Sequence, residues 1–412
     1  MDTGALPAGA HLVTQAGGTG HATPGHLAAA RSRLPEMVRH ALTLVACESP
    51  SHDAAALEGS AALVARVGAE IVGTAPARVG AEGGSHLAWR FGSGPRRVLL
   101  LGHHDTVWPI GTLDRLPGVV ADGVLRGPGC LDMKVGIVQA LTACALVAER
   151  QGLEALDGVT VLVTSDEEVG SPGSRDLVER EAAGCEAVLV LEAAGPGGAL
   201  KTARKGTSAY RVRVTGRAAH AGLEPEAGIN AGVELARQIP AVAALARPAL
   251  GTTVTPTSGQ IGTTTNTVPA HAEVWVDVRA ATAQEQHRVE DDLRALTART
   301  VGARVDVEGE INRPPMEPEM SRRLLALAQQ VATGLGIRPF VGLAVGGASD
   351  GNLTAGAGVP TLDGLGGVGG GPHADDEHVD LSYLPERTAL LAGMIEVLLD
   401  RAPSSHEEVS RD

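Results

Sequence analysis

Residues 98–105 read VLLLGHHD, an apolar run that ends in two histidines and an aspartate. Three further apolar runs also lead into acidic residues or into a histidine, at 159–168, 187–192 and 359–373. In open α/β sheets the carboxyl ends of parallel strands meet at one edge, and ligands bind just beyond it. The four runs therefore predict strands of one sheet whose ends together hold a metal site.

Length and composition are those of a globular protein with more than one domain. At 412 residues the chain exceeds the size at which a single hydrophobic core keeps growing. It is 43% hydrophobic and 20% charged, with a formal net charge of −14 at pH 7. Because nucleic-acid binding needs basic patches, this charge argues against nucleic acid as the main partner.

The chain carries no sequence feature of membrane insertion or export, so we expect a cytoplasmic protein. No run reaches the roughly 18 uncharged apolar residues of a membrane span, and the N-terminus has no signal-peptide pattern. Residues 1–25 and 403–412 lack periodicity and are expected to be flexible tails. The cysteines lack CxxC spacing and are expected to be reduced, mostly buried thiols: Cys47, Cys130, Cys144 and Cys185.

Strand and helix patterns alternate from Leu34 to Glu192, which predicts a doubly wound, mostly parallel α/β sheet. After that the order becomes βαββαβ, which is the ferredoxin-like arrangement. The predicted strands of this segment are 209–215, 253–261, 272–279 and 304–310, and the predicted helices are 230–246 and 283–300. We therefore predict a mixed-sheet catalytic domain at 26–205 and 317–402, interrupted by a smaller α+β domain at 206–316.

Five side chains in matching positions form a ligand set for two metal ions. Zinc prefers histidine nitrogen and carboxylate oxygen, and two-metal hydrolases hold their ions roughly 3.5–4 Å apart with a bridging carboxylate and a shared water. Each residue alone would be read as a cap or a structural residue, but together they favour a dizinc site. The five candidates are His103, Asp132, Glu168, Glu192 and His373.

Two neighbours of His103 have different expected roles. Asp105 lies two residues further on, so in an extended segment its carboxylate falls on the same side as the imidazole of His103. There it can accept the ring N–H and fix the tautomer of the ligand. His104 points the other way, and we expect it to be packed or exposed to solvent.

Glu167 and Glu168 are adjacent carboxylates at the end of a buried strand. A sequence tolerates such a pair more readily if a cation neutralises one member. Glu168 would then bind metal, while Glu167 takes a proton from the metal-bridging water and delivers it to the leaving amine. The alternative is an acidic helix N-terminus at 166–168, stabilised by the helix dipole.

These motifs resemble a known family. The stretches GPGCLDMK at 127–134 and DEEVGS at 166–171, with the ligands already named, look like the cocatalytic dizinc exopeptidases and deacylases. That family contains glutamate carboxypeptidase, aminoacylase, acetylornithine deacetylase and succinyl-diaminopimelate desuccinylase. The resemblance covers nearly all of 34–399. It is closest to the glutamate carboxypeptidase (carboxypeptidase G) branch, through HHDTV at 103–107, GSPGSRD at 170–176 and GTS at 206–208.

The resemblance implies a role for each ligand. Asp132 would bridge two zinc ions, with His103 and Glu192 completing one ion and Glu168 and His373 completing the other. It also implies two Zn²⁺ per chain, with Co²⁺ or Mn²⁺ as substitutes. The fold implied is an α/β zinc domain with a ferredoxin-like lid that also forms a homodimer.

The chain departs from the family at one position near the bridging aspartate. Val135 stands where the family commonly has the first of two glycines after the lysine. Because Val135 begins the following helix and is not a ligand, we expect it to alter loop packing more than chemistry. The peptide after the bridging aspartate is often cis in this family, which the sequence leaves open.

The catalytic residues implied are Glu167, Asp105 and His220. Glu167 would be the general base and acid, and Asp105 would orient His103. The segment TGRAAHAG at 215–222 resembles the lid motif whose histidine reaches the scissile carbonyl from the partner subunit. A donor there would stabilise the oxyanion, although an isolated histidine in a turn is otherwise a surface residue.

Five further residues are candidates for substrate binding: Asn266, Arg279, Arg313, Gly346 and Gly347. Asn266 and Arg279 match family positions for the oxyanion and the free carboxylate, which a planar guanidinium binds through two parallel hydrogen bonds. Arg313 falls where the glutamate carboxypeptidases hold an acidic side chain; the alternative is a solvated arginine. The two glycines offer backbone N–H groups to the carboxylate, unless their loop is simply a strand-to-helix turn with Ser349 or Asp350 as N-cap.

The sequence thus predicts a zinc metallopeptidase of the carboxypeptidase type that acts on a small amide or peptide, with neither nucleic acid nor membrane as partner. It would cleave the amide before a C-terminal amino acid with a free carboxylate, glutamate or a similar residue being favoured. The main alternative is an N-acyl-amino-acid deacylase with the same site. A catalytically silent binding protein would have lost ligands or the base, and none is missing. A further alternative is a hydrolase with one metal ion or none, which metal analysis of the protein would exclude by finding about two zinc ions per chain.

Overall fold

The computed structural model describes residues 25–79 and 85–400. The predicted tails at 1–25 and 403–412 lie outside this range, except for Gly25, which begins a helix that sequence periodicity did not reveal. The helices before the insert are α1 (Gly25–Ser32), α2 (Leu34–Val45), α3 (Ala54–Val72), α4 (Val135–Gln151) and α5 (Arg175–Ala182). The strands are β1 (Ala77–Val79), β2 (His86–Arg90), β3 (Val98–His103), β4 (Val119–Ala121), β5 (Val124–Arg126), β6 (Val159–Thr164), β7 (Ala187–Val190) and β8 (Leu200–Arg204).

Strands β3, β6 and β7 lie side by side in a six-stranded sheet of order β1-β2-β6-β3-β7-β16, where β16 is Thr361–Leu362. The pairs β6–β3, β3–β7 and β7–β16 are parallel, whereas the pairs β1–β2 and β2–β6 are antiparallel. Every residue of β3 and β6 is buried, as expected for strands covered by helices on both faces. The predicted α/β class with a mixed, mostly parallel sheet is confirmed.

Helix α4 is the central helix of the core. It packs against α2, α3 and α10 (Leu384–Asp400), and its residues from Val135 to Val147 are all buried. Among the residues that the structure describes, one segment is long and apolar enough to cross a membrane, Cys130–Gln151, and 94% of its most apolar window is buried inside the protein. The cysteines are free, as expected, and all but Cys47 are buried.

The segment after β8 has its own sheet and its own hydrophobic core. Its strands are β9 (Gly206–Thr215), β10 (Ala219–His220), β11 (Thr253–Ile261), β12 (Thr267–Val268), β13 (His271–Ala280) and β14 (Arg304–Arg313), and its helices are α6 (Ala231–Ala243) and α7 (Ala283–Arg294). Four strands form an antiparallel sheet of order β11-β13-β9-β14. This is the ferredoxin-like order, and β10 and β12 form a separate two-stranded ribbon.

Helix α7 ends six residues earlier than the sequence predicts. The carboxylate of Glu234, on α6, accepts hydrogen bonds from the backbone N–H groups of Arg299 (2.9 Å) and Thr300 (2.7 Å). Those N–H groups are therefore bound by a side chain of another helix and do not continue α7. Periodicity along one helix cannot reveal such a partner.

The chain returns to the first sheet after β14. The remaining elements are α8 (Pro318–Leu335), β15 (Gly342–Val345), α9 (Gly351–Gly356), β16, β17 (Gly369–Gly370), β18 (His378–Asp380) and α10. Strand β15 pairs with β8, and β17 and β18 join β4 and β5 in a small antiparallel sheet. On this organisation we propose domain limits near 205 and 317.

Helix α4 approaches the end of β7 so closely that only glycine fits at the contact. A Cβ atom added to Gly136 would lie 2.2 Å from the carbonyl oxygen of Leu191, the residue before Glu192. Val135, the departure from the family pattern, is fully buried. The close approach therefore depends on the second residue of the pair, Gly136, and not on position 135.

We predict that Gly136→Ala lowers the free energy of unfolding by about 1–3 kcal/mol, because the added methyl overpacks a backbone contact. The control is Gly59→Ala on α3, where an added Cβ meets nothing within 4 Å. This substitution should raise the free energy of unfolding by up to about 1 kcal/mol, because alanine favours a helix more than glycine does. Urea unfolding of both variants measures the difference. Equal effects would contradict the packing argument.

Candidate metal centre

The ends of β3, β6 and β7 converge at one edge of the main sheet. His103, the last residue of β3, is paired with Thr164, the last residue of β6. Leu101 is paired with Val190 at the end of β7. Glu167 and Glu168 follow β6 in a short 3₁₀ turn, and Glu192 follows β7 by two residues. The register of the parallel strands therefore brings the four side chains together, as the sequence predicts.

Asp132 occupies the middle of this cluster. Its Oδ1 atom lies 3.2 Å from His103 Nε2, and its Oδ2 atom lies 3.3 Å from His373 Nε2. Each oxygen of one carboxylate thus faces a different histidine. The peptide bond between Asp132 and Met133 is cis.

The remaining two carboxylates divide between the same two histidines. Glu192 Oε1 lies 3.5 Å from His103 Nε2, and Glu168 Oε2 lies 3.3 Å from His373 Nε2. The side chains therefore form two groups that share Asp132, which is the grouping implied by the family resemblance.

The chemistry of the donor set fits divalent cations. The Oε1 atom of Glu168 is buried without a hydrogen-bond partner among the described residues, which is costly unless a cation binds it. Atoms of His103, Asp132 and Glu168 that are able to bind metal lie within 4.8 Å of one another, and so do those of His103, Glu167 and Glu192. Histidine nitrogen with carboxylate oxygen is a zinc-type set.

Without bound metal, the carboxylates of the cluster lie close together, and burial and hydrogen bonding shift their pKa values. Burial raises the pKa of Glu168, which the hydrogen bond to His373 only partly offsets. Burial also opposes ionisation of Asp132, but hydrogen bonds to His103 and His373 hold its pKa well below the usual range. Hydrogen bonds to Asp132 and Glu168 in turn raise the pKa of His373 to about 10. Without metal, the histidines therefore provide the hydrogen bonds and positive charge that stabilise the ionised carboxylates.

Asp105 is buried beneath the cluster and contacts both His103 and the Glu167 turn. Its backbone carbonyl oxygen lies 3.0 Å from His103 Nδ1, and its carboxylate Oδ1 lies 3.4 Å from the same atom. The carboxylate also accepts hydrogen bonds from the backbone N–H groups of Glu167 (3.3 Å) and Glu168 (3.2 Å). Its position allows the predicted orienting role, although the nearer acceptor is the carbonyl group. His104 is packed in the core, where burial lowers its pKa to about 4.

Glu167 points into the cluster beside Arg313. Its Oε1 atom lies 3.0 Å from Arg313 Nη2, which also contacts Asp350 at 3.0 Å. Burial raises the pKa of Glu167 well above its usual range, and the charge of Arg313 opposes that rise. Arg313 is buried and engaged by two carboxylates of its own chain, so the solvated arginine considered from the sequence is not what forms.

Sequence reasoning missed two buried residues that hold the cluster. Arg204 Nη2 donates to Glu192 Oε2 at 3.4 Å, while its Nε donates to Asp363 at 2.7 Å. Glu377 accepts a hydrogen bond from the backbone N–H of Asp132 at 3.1 Å. The sequence holds no signal for either, apart from the proximity of Glu377 to His373 along the chain.

Two of the lid candidates lie side by side. His220 ends β10 and is paired with Thr267 of β12, and the backbone carbonyl of Asn266 accepts a hydrogen bond from Ala221 N at 2.9 Å. Both candidate side chains are exposed. The hydrogen bonds of the His220 side chain lie within its own turn, so none of them joins it to the metal cluster among the described residues.

The other substrate candidates are dispersed. Arg279, on β13, forms an ion pair with Asp277 at 3.0 Å. Gly346 and Gly347 are exposed in the loop between β15 and α9. Ser349 Oγ accepts from Gly351 N at 3.1 Å, so this loop is also a strand-to-helix turn.

A family model described as Peptidase family M20/M25/M40 matches residues 99–397, a segment that contains all five candidate ligands. The chain belongs to peptidase family M20/M25/M40. It is accordingly a metallopeptidase of the hydrolase class, and enzymes of this family depend on bound metal. The family assignment agrees with the resemblance found in the motifs.

Individual relatives support the same assignment. Carboxypeptidase G2 of Pseudomonas sp. (strain RS-16) is 33% identical over 309 residues, which are 74% of each chain. A succinyl-diaminopimelate desuccinylase of Rhodopseudomonas palustris is 27% identical over 394 residues, covering 88% of this chain and 98% of the relative. The crystal structure of aminopeptidase PepT from Bacillus cereus has a TM-score of 0.71 at 20% identity, covering 89% of this chain and 99% of that one. This last likeness concerns the fold.

We predict that a chelator lowers the melting temperature of the metal-loaded protein. A ligand present at about 100 times its Kd stabilises the native state by about 2.7 kcal/mol, and its removal restores the repulsion among buried carboxylates. Calorimetry with and without chelator measures the shift. Asp132→Asn should abolish the shift, whereas Glu308→Gln on the exposed lid surface should preserve it. An unchanged melting temperature for the wild type, together with no bound metal, would contradict the site.

Proposed function

We propose that the chain is a dizinc amidohydrolase that cleaves the amide before a C-terminal amino acid with a free carboxylate, in the manner of a glutamate carboxypeptidase. The observation that carries this proposal is the placement of Asp132, whose two oxygens face two separate histidine and carboxylate groups. The 33% identity to carboxypeptidase G2 supports the choice of substrate class. The cytoplasmic location stays a prediction from the sequence.

The proposed ligands of one ion are His103, Glu192 and Asp132, and those of the other are His373, Glu168 and Asp132. Bound divalent metal would supply Lewis-acid polarisation of the scissile carbonyl and would lower the pKa of the attacking water. Zinc suits the nitrogen and oxygen donors, and Co²⁺ or Mn²⁺ are proposed substitutes.

Glu167 is the proposed general base and acid. It is a carboxylate of the cluster without a proposed metal-binding role, and burial raises its pKa. Because a raised pKa makes the ionised carboxylate a stronger base, Glu167 can accept a proton from the attacking water and then, as the acid, pass it to the amine nitrogen of the leaving amino acid. Arg313, bound to Oε1 of Glu167, would hold that carboxylate in place; direct binding of an acidic substrate side chain by Arg313 stays a prediction.

His220 is the proposed oxyanion donor, acting from the lid of the partner subunit. Its Nδ1 atom accepts hydrogen bonds from the backbone N–H groups of Gly222 and Leu223, both at 3.1 Å. The proton of the neutral ring therefore lies on Nε2, which is left free to donate to a developing negative oxygen. Asn266, next to it on the ribbon, would donate to the same oxygen.

The free carboxylate of the substrate would be bound by Arg279 and by the loop of Gly346 and Gly347. The side chain of Arg279 is 37% exposed and its guanidinium already pairs with Asp277, so a substrate carboxylate would compete with Asp277. The exposed glycines offer backbone without side-chain obstruction. The role of Arg279 rests on the family resemblance, and that of the two glycines rests on the backbone N–H groups that their loop offers.

A homodimer through the lid is supported by exposed apolar side chains on that segment. Val233 on α6 is 47% exposed, Ile261 on β11 is 58% exposed and Val301 is 95% exposed. Strand β11 is also an edge of its sheet, which leaves backbone groups available for another strand. A symmetric contact would bury both features and bring His220 toward the partner's cluster.

The substrate proposal predicts hydrolysis of folyl-glutamate and dipeptide substrates, and little turnover of N-acetyl or N-succinyl amino acids. The assay is a hydrolysis screen with the zinc-loaded protein. Glu167→Gln is the matched control, because an amide cannot accept the proton; it should lower kcat by about 10²-fold or more while still binding metal. The reverse substrate profile would assign the chain to the deacylases, which the desuccinylase relatives make the main alternative.

A mixing experiment tests whether His220 acts on the partner's site. His220→Asn and Glu167→Gln should each be inactive alone, but their co-expression creates dimers in which one site has both residues intact. A symmetric dimer with random pairing predicts recovery of about one quarter of wild-type activity. Recovery would be absent if His220 served the metal cluster of its own chain.

A further inference from the structure

Glu377 is a buried carboxylate that binds four N–H donors and has no role in the proposed chemistry. It is 3% exposed. Its Oε1 atom accepts from Leu131 N at 2.8 Å and Asp132 N at 3.1 Å. Its Oε2 atom accepts from Gly129 N at 2.8 Å and from the indole Nε1 of Trp108 at 2.9 Å.

Three of those donors are backbone groups of the loop that ends at Asp132. A loop N–H that is buried away from water costs free energy unless an acceptor binds it, and here one carboxylate serves all three. Charge-assisted hydrogen bonds of this kind are stronger than neutral ones. The position of the Asp132 backbone is therefore set by the position of Glu377.

Glu377 also lies four residues after His373, in the segment between β17 and β18. His373 and Asp132 are far apart in sequence, and their side chains meet at 3.3 Å. The loop carrying His373 is thus joined to the loop carrying Asp132 by the hydrogen bonds of Glu377. One side chain ties together the two segments that meet at the shared carboxylate.

We propose that Glu377 is a positioning residue that clamps the Asp132 and His373 loops into the geometry required for metal binding. It binds neither metal nor substrate, and it acts through the backbone of the loop. Loss of partners that orient metal ligands typically weakens metal affinity by about 10–100-fold. The inference rests on the proposed metal-binding role of Asp132 and His373.

The test compares metal affinity with stability of the metal-free protein. In Glu377→Gln the amide nitrogen must replace either Oε1, which faces two loop N–H groups, or Oε2, which faces one loop N–H group and the Trp108 indole. Either orientation removes two hydrogen bonds, at least one of them to the loop, and brings donors against donors. We expect a Kd for Zn²⁺ about 10–100-fold weaker, measured by competition with a chromogenic chelator. Glu377→Asp keeps the charge on a shorter arm and should fall between Gln and wild type.

Two controls separate the clamp from general destabilisation. Trp108→Phe removes only the indole donor and leaves the three loop donors, so its Zn²⁺ affinity should stay close to wild type. Glu181→Gln removes another buried carboxylate, which lies outside the metal cluster. Its Oε1 atom is 2.7 Å from Arg90 Nη2. This substitution should lower the melting temperature of the metal-free protein without changing Zn²⁺ affinity.

Each outcome decides the proposal. Wild-type Zn²⁺ affinity in a folded Glu377→Gln protein would overturn the clamp, and so would affinity losses equal to those of Trp108→Phe. If Glu377→Gln fails to fold, the comparison of Glu377→Asp with Trp108→Phe decides in the same way. Absence of Zn²⁺ binding by the wild type would instead refute the metal centre, so the two failures are distinguishable.

Discussion

Carboxylates crowded at one buried edge are the constraint on which the rest of the structure depends. Asp132, Glu167, Glu168 and Glu192 converge there, and like charges in a low-dielectric interior repel unless cations or hydrogen-bond donors compensate them. Asp132 shares its oxygens between His103 and His373, while one oxygen of Glu168 has no partner among the described residues. The arrangement is satisfied when positive charge enters between these groups.

A surrounding layer of buried polar groups holds the cluster in that arrangement. Asp105 binds the backbone of the turn after β6, Glu377 binds the backbone of the loop before α4, and Arg204 joins Glu192 to Asp363. Each of these contacts acts on a segment that follows or precedes a regular element. The strands set the approximate meeting point, and these side chains then fix the orientation of the ligands.

The lid is held together largely by apolar packing. Its sheet and helices enclose a separate hydrophobic core, and its candidate catalytic residues lie on the small β10–β12 ribbon outside that core. His220 uses one ring nitrogen to cap its own turn, which leaves the other free. Apolar side chains near β11 and α6 are exposed, and we propose that a second lid covers them.

The amino-acid sequence by itself indicated the strands that lead to the candidate ligands, the βαββαβ insert and the five candidate ligands, because apolar periodicity and ligand chemistry are local properties. It did not reveal helix α1, the early end of α7, or the partners of Arg313 and Glu377. The end of α7 depends on Glu234 of another helix, and Glu377 binds a loop about 250 residues earlier in the chain. Only the tertiary structure decided which charges meet, because burial and hydrogen bonding depend on distances in space that separation along the chain does not specify.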